Sequence, residues 1–90
     1  MEVTQELIKQ LISVGMLGYS IDKIINVIDV PENDVQWFTR EFNNKNSEIY
    51  QAYKKGMDKA DYVLDMKLFQ KAQDGDLKAL EKYEQRKSFR

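Results

Sequence analysis

The chain has 90 residues, of which 42% are hydrophobic, and it contains neither cysteine nor histidine. The lack of cysteine excludes disulfides and cysteine-ligated zinc, and it favours a reducing, cytoplasmic compartment. No apolar stretch reaches the roughly 18 residues of a membrane span. With no histidine, no phosphate-binding loop and no nucleophile triad in the sequence, we do not expect an enzyme.

The formal net charge is −1, but it is unevenly distributed. Residues 1–45 contain four basic and seven acidic side chains, whereas residues 46–90 contain ten basic and eight acidic ones. A protein that binds nucleic acid regardless of sequence would be more basic than this. Any DNA contact must therefore be sparse, carried by a local patch, or shared among several copies.

The first helix is predicted over residues 4–16, with Thr4 as its N-cap. Leu7, Leu11 and Val14 recur at helical spacing and form its core face. A short connection follows, in which we expect Leu17 to be packed rather than exposed. Ser20 is predicted to cap the second helix, whose inward face is Ile24, Val27 and Ile28.

Residues 29–31 are predicted to form a tight turn that ends the second helix. Val30 precedes a proline, so it should be extended, and we expect its side chain to be turned inward. Pro31 suits the first turn of a third helix. Val35, Phe38 and Phe42 are spaced to form the buried face of that helix, with Trp37 at its boundary. The opposite face carries Glu32, Asn33, Gln36, Arg40 and Asn43.

A long helix is predicted over residues 47–72, about 39 Å at ~1.5 Å per residue. A small head cannot cover its whole apolar stripe, so part of the stripe should pack on the last helix, on another subunit, or on both. Residues 74–76 form a turn, and Asp76 caps a last helix over residues 77–87, antiparallel to the long one. Its apolar side is predicted to be Leu77, Ala79, Leu80 and Tyr83.

The predicted fold is all-α, with a three-helix helix-turn-helix head (residues 1–46) and a helical hairpin for oligomerisation (residues 47–90). Arginine, glutamine and asparagine can bond base edges, and lysine can hold phosphates. The DNA-binding candidates are Lys23, Asn33, Gln36, Arg40, Asn43, Asn44 and Lys45. For each of these residues taken alone, we slightly prefer the interpretation of an ordinary solvated side chain. The oligomerisation candidates are Ile49, Tyr53, Ala60, Leu64, Leu68 and Leu80.

Asp58, Asp61 and Asp65 alternate with lysines along the long helix. Acids and lysines three or four residues apart are typical of a salt-bridged helix face, which is the interpretation we prefer to a metal site. We therefore expect no metal and no cofactor.

Two blocks of sequence suggest a family. The first is GM (15–16) followed by SIDKIINVIDV (20–30) and VQWF (35–38), and the second is AYKKGMDKA (52–60) followed by LFQKAQDGDLKALEKYEQR (68–86). Together they resemble the phage terminase small subunits, in which a helix-turn-helix head precedes an oligomerising helical hairpin. Two departures are Ile25, where such motifs usually have alanine, and Asp29, where glycine usually makes the turn.

The resemblance implies a homo-oligomeric ring without a catalytic site. Such a ring recognises double-stranded viral DNA and delivers it to the large, motor subunit in the host cytoplasm. Two other functions remain open from the residues themselves. One is a dimeric transcription regulator that uses the same head, and the other is an interaction adaptor whose acidic head does not bind DNA.

Overall fold

A computed structural model describes residues 1–88, and over this range the chain is all-α and has no strand. One 3₁₀ turn, Glu32–Asp34, precedes the third α-helix. The helices agree with the predicted ones to within a few residues at each end. They are α1 (Gln5–Leu17), α2 (Ile21–Val27), α3 (Val35–Phe42), α4 (Glu48–Gln73) and α5 (Leu77–Ser88).

Short-range caps fix the ends of α1 and α2, as their sequences predict. The Thr4 hydroxyl accepts a hydrogen bond from the Leu7 amide at 3.1 Å. The Ser20 hydroxyl accepts one from the Lys23 amide at 3.4 Å. Gly18, with φ of +68°, ends α1 in the left-handed conformation that costs glycine least.

The connection between α2 and α3 turns on Asp29, the one described non-glycine residue with a positive φ, at +55°. The Val30 amide donates to the Ile25 carbonyl at 3.1 Å, and the Val30 side chain is buried as predicted. The third helix does not begin directly at Pro31. The Asp34 amide donates to the Pro31 carbonyl at 2.8 Å, so a 3₁₀ turn forms before the α-helical pattern starts at Val35.

Asp29→Val should lower the free energy of unfolding by about 1–2 kcal/mol, because a β-branched residue tolerates the left-handed region poorly. Asp29→Asn is the matched control, since asparagine adopts this conformation readily, and we expect a change within about 0.5 kcal/mol. Urea unfolding followed by circular dichroism measures both. Equal stabilities for the two variants would contradict the left-handed turn.

The backbone contacts divide the chain into two compact units, within α4 rather than at the polar segment before it. The N-terminal unit is Met1–Lys59 and the C-terminal unit begins at Ala60. The core of the N-terminal unit draws on α1, α2, α3 and the first turns of α4. Its buried side chains are Leu7, Leu11, Val14, Ile24, Val30, Phe38, Ile49 and Ala52.

Two glycines let α1 and α4 cross in close backbone contact inside the N-terminal unit. A Cβ at Gly56 would overlap the Ile12 carbonyl oxygen and come within 2.8 Å of the Met16 amide nitrogen. A Cβ at Gly15 would likewise overlap the Tyr53 carbonyl oxygen. Nearby, the Tyr53 hydroxyl donates to the Tyr19 carbonyl oxygen at 2.8 Å. At this crossing the N-terminal part of the long helix α4 packs directly against α1.

The C-terminal unit is a helical hairpin formed by the end of α4 and by α5. Asp76 caps α5 as predicted, because its carboxylate accepts a hydrogen bond from the Ala79 amide at 3.1 Å. The Phe69 and Tyr83 rings lie 5.5 Å apart. Arg86 pairs with Asp65 at 2.6 Å and with Asp61 at 3.2 Å. Since residues later in α5 contact residues earlier in α4, the two helices run antiparallel.

Four predicted inward positions are wrong. Leu17 is 64% exposed and Val27 is 53% exposed, because the buried sides of α1 and α2 centre on Val14 and Ile24 instead. Leu77 is 75% exposed and Leu80 is 41% exposed. The side of α5 that faces α4 carries Ala79, Tyr83 and Arg86, so both leucines lie on the other side of the helix.

Candidate nucleic-acid interface

The outer face of α3 and its preceding turn presents four polar side chains in one row. Asn33, Gln36, Arg40 and Asn43 follow one another at spacings of three, four and three residues, and all are exposed. The opposite face holds the helix in place, because Phe38 is fully buried. The Phe42 ring packs edge-on against Tyr53, with ring centroids 4.9 Å apart. The row is therefore carried by a helix that is fixed from behind.

Arg40 is the strongest candidate for a nucleic-acid contact in this row. It lies in the last turn of α3 and forms no ion pair with any residue from 1 to 88. Its guanidinium has five N–H donors in a planar arrangement that can bond a guanine edge or a phosphate in pairs. All five are thus free of acidic partners in the described part of the chain.

The two asparagines after α3 shape the chain locally. The Asn43 amide group donates to the Thr39 carbonyl at 3.0 Å, and the Asn44 side-chain oxygen accepts from the Asn46 amide at 3.0 Å. The Lys45 carbonyl accepts from the Gln51 side chain at 2.5 Å. The amide groups of Asn43 and Asn44 thus stabilise the α3–α4 connection, while the Lys45 side chain remains exposed.

Lys23 lies in the first turn of α2 and is exposed. Its ammonium group sits over the Tyr19 ring, 4.0 Å from the centroid, which is a cation–π contact. That contact holds the side chain near the start of α2. A phosphate could still approach it, since a cation over a ring keeps its charge.

Acids limit how much DNA affinity this surface can provide. Glu32 is exposed beside the row, whereas the Asp34 carboxylate lies 3.4 Å from the N-terminal amine and is partly neutralised by it. Over Met1–Lys59 the sequence has seven basic and nine acidic side chains, a net charge of −2. One copy therefore offers few favourable phosphate contacts.

Trp37 is half-buried, as predicted for the boundary of α3, and packs against the core. It lines a cavity of about 260 Å³ together with Val3, Glu48 and Ile49. This position makes it a packing residue between α3 and the start of α4.

The predicted oligomerisation residues lie in different surroundings. Ile49 is buried in the core of the N-terminal unit, so its side chain is part of no exposed face, and Tyr53 is half-buried there. Ala60 and Leu68 are half-buried, whereas Leu64 and Leu80 are exposed. The candidates therefore do not form one exposed stripe.

A cluster of large side chains in the C-terminal unit, here called the aromatic face, was not predicted from the sequence. Tyr62, Met66, Phe69 and Tyr83 line a cavity of about 270 Å³ with Asp65. Tyr62 is 66% exposed. The spacing of Tyr62, Met66 and Phe69 by four and three residues was the signal that could have revealed it.

The three aspartates of α4 have cationic partners, but only one of them is the predicted neighbour on the same helix. Asp58 pairs with Lys54 at 3.0 Å, which raises the pKa of that lysine through their hydrogen bond. Asp61 and Asp65 pair with Arg86 of α5 instead. Among residues 1–88, no group of three potential ligands is placed to hold a metal ion.

No helix in the described range is both long enough and apolar enough to cross a membrane. In comparisons with family models, curated proteins and solved structures, nothing matched this chain.

Proposed function

We propose that the chain is the small subunit of a phage terminase, which recognises viral DNA and assembles as a homo-oligomer. It would then deliver the DNA to the large, motor subunit. The observation that carries the proposal is the exposed polar row of α3, with Arg40 free of acidic partners over residues 1–88, on a helix whose other face is buried.

The proposed helix-turn-helix motif consists of α2, the Asp29 turn and α3. In such motifs the second helix enters the major groove and its side chains contact base edges. The left-handed Asp29 turn and the inward Val30 support this arrangement, because they join two short helices through a sharp change of direction. Gln36 and Arg40 are then the base contacts, and Lys23 and Lys45 the phosphate contacts.

Assembly is needed to make this surface effective. A single copy has a net negative N-terminal unit, so its affinity for DNA should be low. Linking several copies raises the effective concentration of each head near the DNA and multiplies the weak contacts. The aromatic face supports assembly, since large exposed apolar side chains close together favour a protein interface.

The test is a binding titration of the full chain with double-stranded DNA at several salt concentrations. Arg40→Ala should lower the affinity about tenfold or more, because one paired base contact is worth roughly 1–3 kcal/mol. Lys55→Ala removes an exposed charge from α4 and is the matched control, for which we expect little change. Equal affinities for the two variants would contradict the assigned role of Arg40.

The two other candidate functions give different results in the same titration. A transcription regulator would form a dimer, with Arg40→Ala relaxing specificity at one base position. An adaptor would show no salt-sensitive affinity for DNA at all. The net charge of −2 over Met1–Lys59 is the observation that favours the adaptor.

A further inference from the structure

A groove of about 370 Å³ runs along the outer flank of α1, here called the α1–α2 groove. Its α1 wall includes Glu6, Lys9 and Leu17, three residues spread over the length of that helix. Its other wall includes Val27 and Ile28 at the end of α2. No residue of α3 lines it, so a partner in this groove would leave the polar row of α3 accessible.

The polarity of the α1–α2 groove changes from one end to the other. Glu6 and Lys9 make the end near the start of α1 charged, whereas Leu17 and Val27 make the far end apolar. Both of these apolar side chains are more than half exposed, which is unfavourable for a monomer in water. A fitting partner is a helix that is apolar at one end and charged at the other.

The helix α5 has this pattern on its outer side, here called the α5 stripe. Leu77, Leu80, Glu84 and Lys87 follow at spacings of three, four and three residues, and all four are exposed. The stripe begins with two leucines and ends with two charges. Neither Glu84 nor Lys87 forms an ion pair within residues 1–88.

The spacing of the charges sets the direction in which α5 fits. With Leu77 placed over Leu17 and the helices antiparallel, Glu84 lies seven residues along α5 and Lys9 lies eight residues back along α1. Likewise, Lys87 lies ten residues along α5 from Leu77, and Glu6 lies eleven residues back along α1 from Leu17. Because a helix rises ~1.5 Å per residue, the two members of each pair differ in position along the helix axes by only about 1.5 Å. Within each pair the two side chains have opposite charges. A parallel arrangement would place the leucines against Glu6 and Lys9.

We propose that α5 of one copy docks antiparallel to α1 in the α1–α2 groove of a second copy. This contact rests on the assembly described under the proposed function and adds a second pair of surfaces to the aromatic face. Because the two surfaces differ, the contact is head-to-tail, and repeating it generates a closed ring when the rotation between copies closes.

Disulfide trapping tests the contact directly, because the natural chain has no cysteine. Full-length chains carrying Leu17→Cys are mixed with chains carrying Leu77→Cys and oxidised. We expect a disulfide between the two kinds of chain, identified by mass spectrometry of the linked peptides. Lys78→Cys, one residue along α5 and rotated off the stripe, is the matched control and should be trapped far less.

Charge reversal tests the register. Glu6→Lys or Lys87→Glu alone should slow trapping about threefold, as expected for an exposed ion pair, and the two together should restore it. Loss of trapping without recovery in the combined variant would overturn the antiparallel register. Trapping within a single chain that carries both cysteines, at concentrations where chains stay apart, would overturn docking between copies.

Light scattering and DNA titration of the same samples separate this inference from the proposed function. An oligomer that binds DNA but yields no Leu17–Leu77 disulfide overturns only the docking of α5. A single-chain mass together with no affinity for DNA overturns both.

Discussion

Gly56→Ala should destabilise the N-terminal unit by about 3 kcal/mol, a large part of the stability of a small domain. The added methyl group would overlap the Ile12 carbonyl oxygen and approach the Met16 amide nitrogen to 2.8 Å. Neither atom belongs to a flexible side chain, so α1 and α4 would have to move apart.

Helix propensity predicts the opposite sign for this substitution. Alanine in a helix interior is favoured over glycine by roughly 0.5–1 kcal/mol, so at an open position Gly56→Ala would stabilise the protein. The expected loss of stability exceeds this gain, because separating α1 from α4 also loosens the packing of Leu11 and Ile49 in the core. The sign of the change in the free energy of unfolding therefore shows whether α1 and α4 are in close contact at Gly56.

Chemical denaturation at a fixed protein concentration measures the effect. Lys59→Ala is the control, an exposed residue three positions further along α4, and should change stability by no more than about 0.5 kcal/mol. A Gly56→Ala variant at least as stable as the natural chain would show that α1 and α4 do not cross at this point.

Lysine at both Tyr62 and Met66 should dissociate the proposed oligomer and lower DNA affinity about 100-fold, the scale of a lost multivalent gain. Both residues line the cavity of the aromatic face, and burying two unpaired ammonium groups in an interface is strongly unfavourable. The contact between Phe69 and Tyr83 is left in place, so the hairpin itself should still form.

Gln70→Lys with Gln73→Lys adds the same charge at exposed positions of α4 and is the matched control. Added positive charge alone should strengthen DNA binding in both double variants. A loss of DNA affinity in the Tyr62/Met66 variant but not in the Gln70/Gln73 variant would therefore come from the loss of assembly. Circular dichroism confirms that helix content is retained. Unchanged mass and affinity in the Tyr62/Met66 variant would exclude the aromatic face from assembly.

Local sequence signals predicted most of the fold. Caps such as Thr4, Ser20 and Asp76 act through hydrogen bonds to residues three positions away, so the sequence alone locates them. The buried position of Phe38 follows from the 3.6-residue period of a helix in the same way. These features depend only on residues that are close in the sequence, so they can be predicted from it.

Features that depend on distant residues were not predictable. The crossing at Gly15 and Gly56 requires two helices to meet, and helix propensity alone would assign both glycines an unfavourable role. Arg86 joins Asp61 and Asp65 across the hairpin, although lysines nearer in sequence were available. For the candidate interface, the sequence predicted the exposed row of α3, but it did not show that Asn43 and Asn44 are engaged in local hydrogen bonds.

We propose that the polar row of α3 binds DNA weakly in one copy and effectively in an assembly. The mass of the full chain in solution, measured by light scattering, tests this most directly. We expect a mass several times the 10.6 kDa of one chain, retained in Arg40→Ala and lost in the Tyr62/Met66 lysine variant. A mass of one chain at concentrations where the protein binds DNA tightly would contradict it.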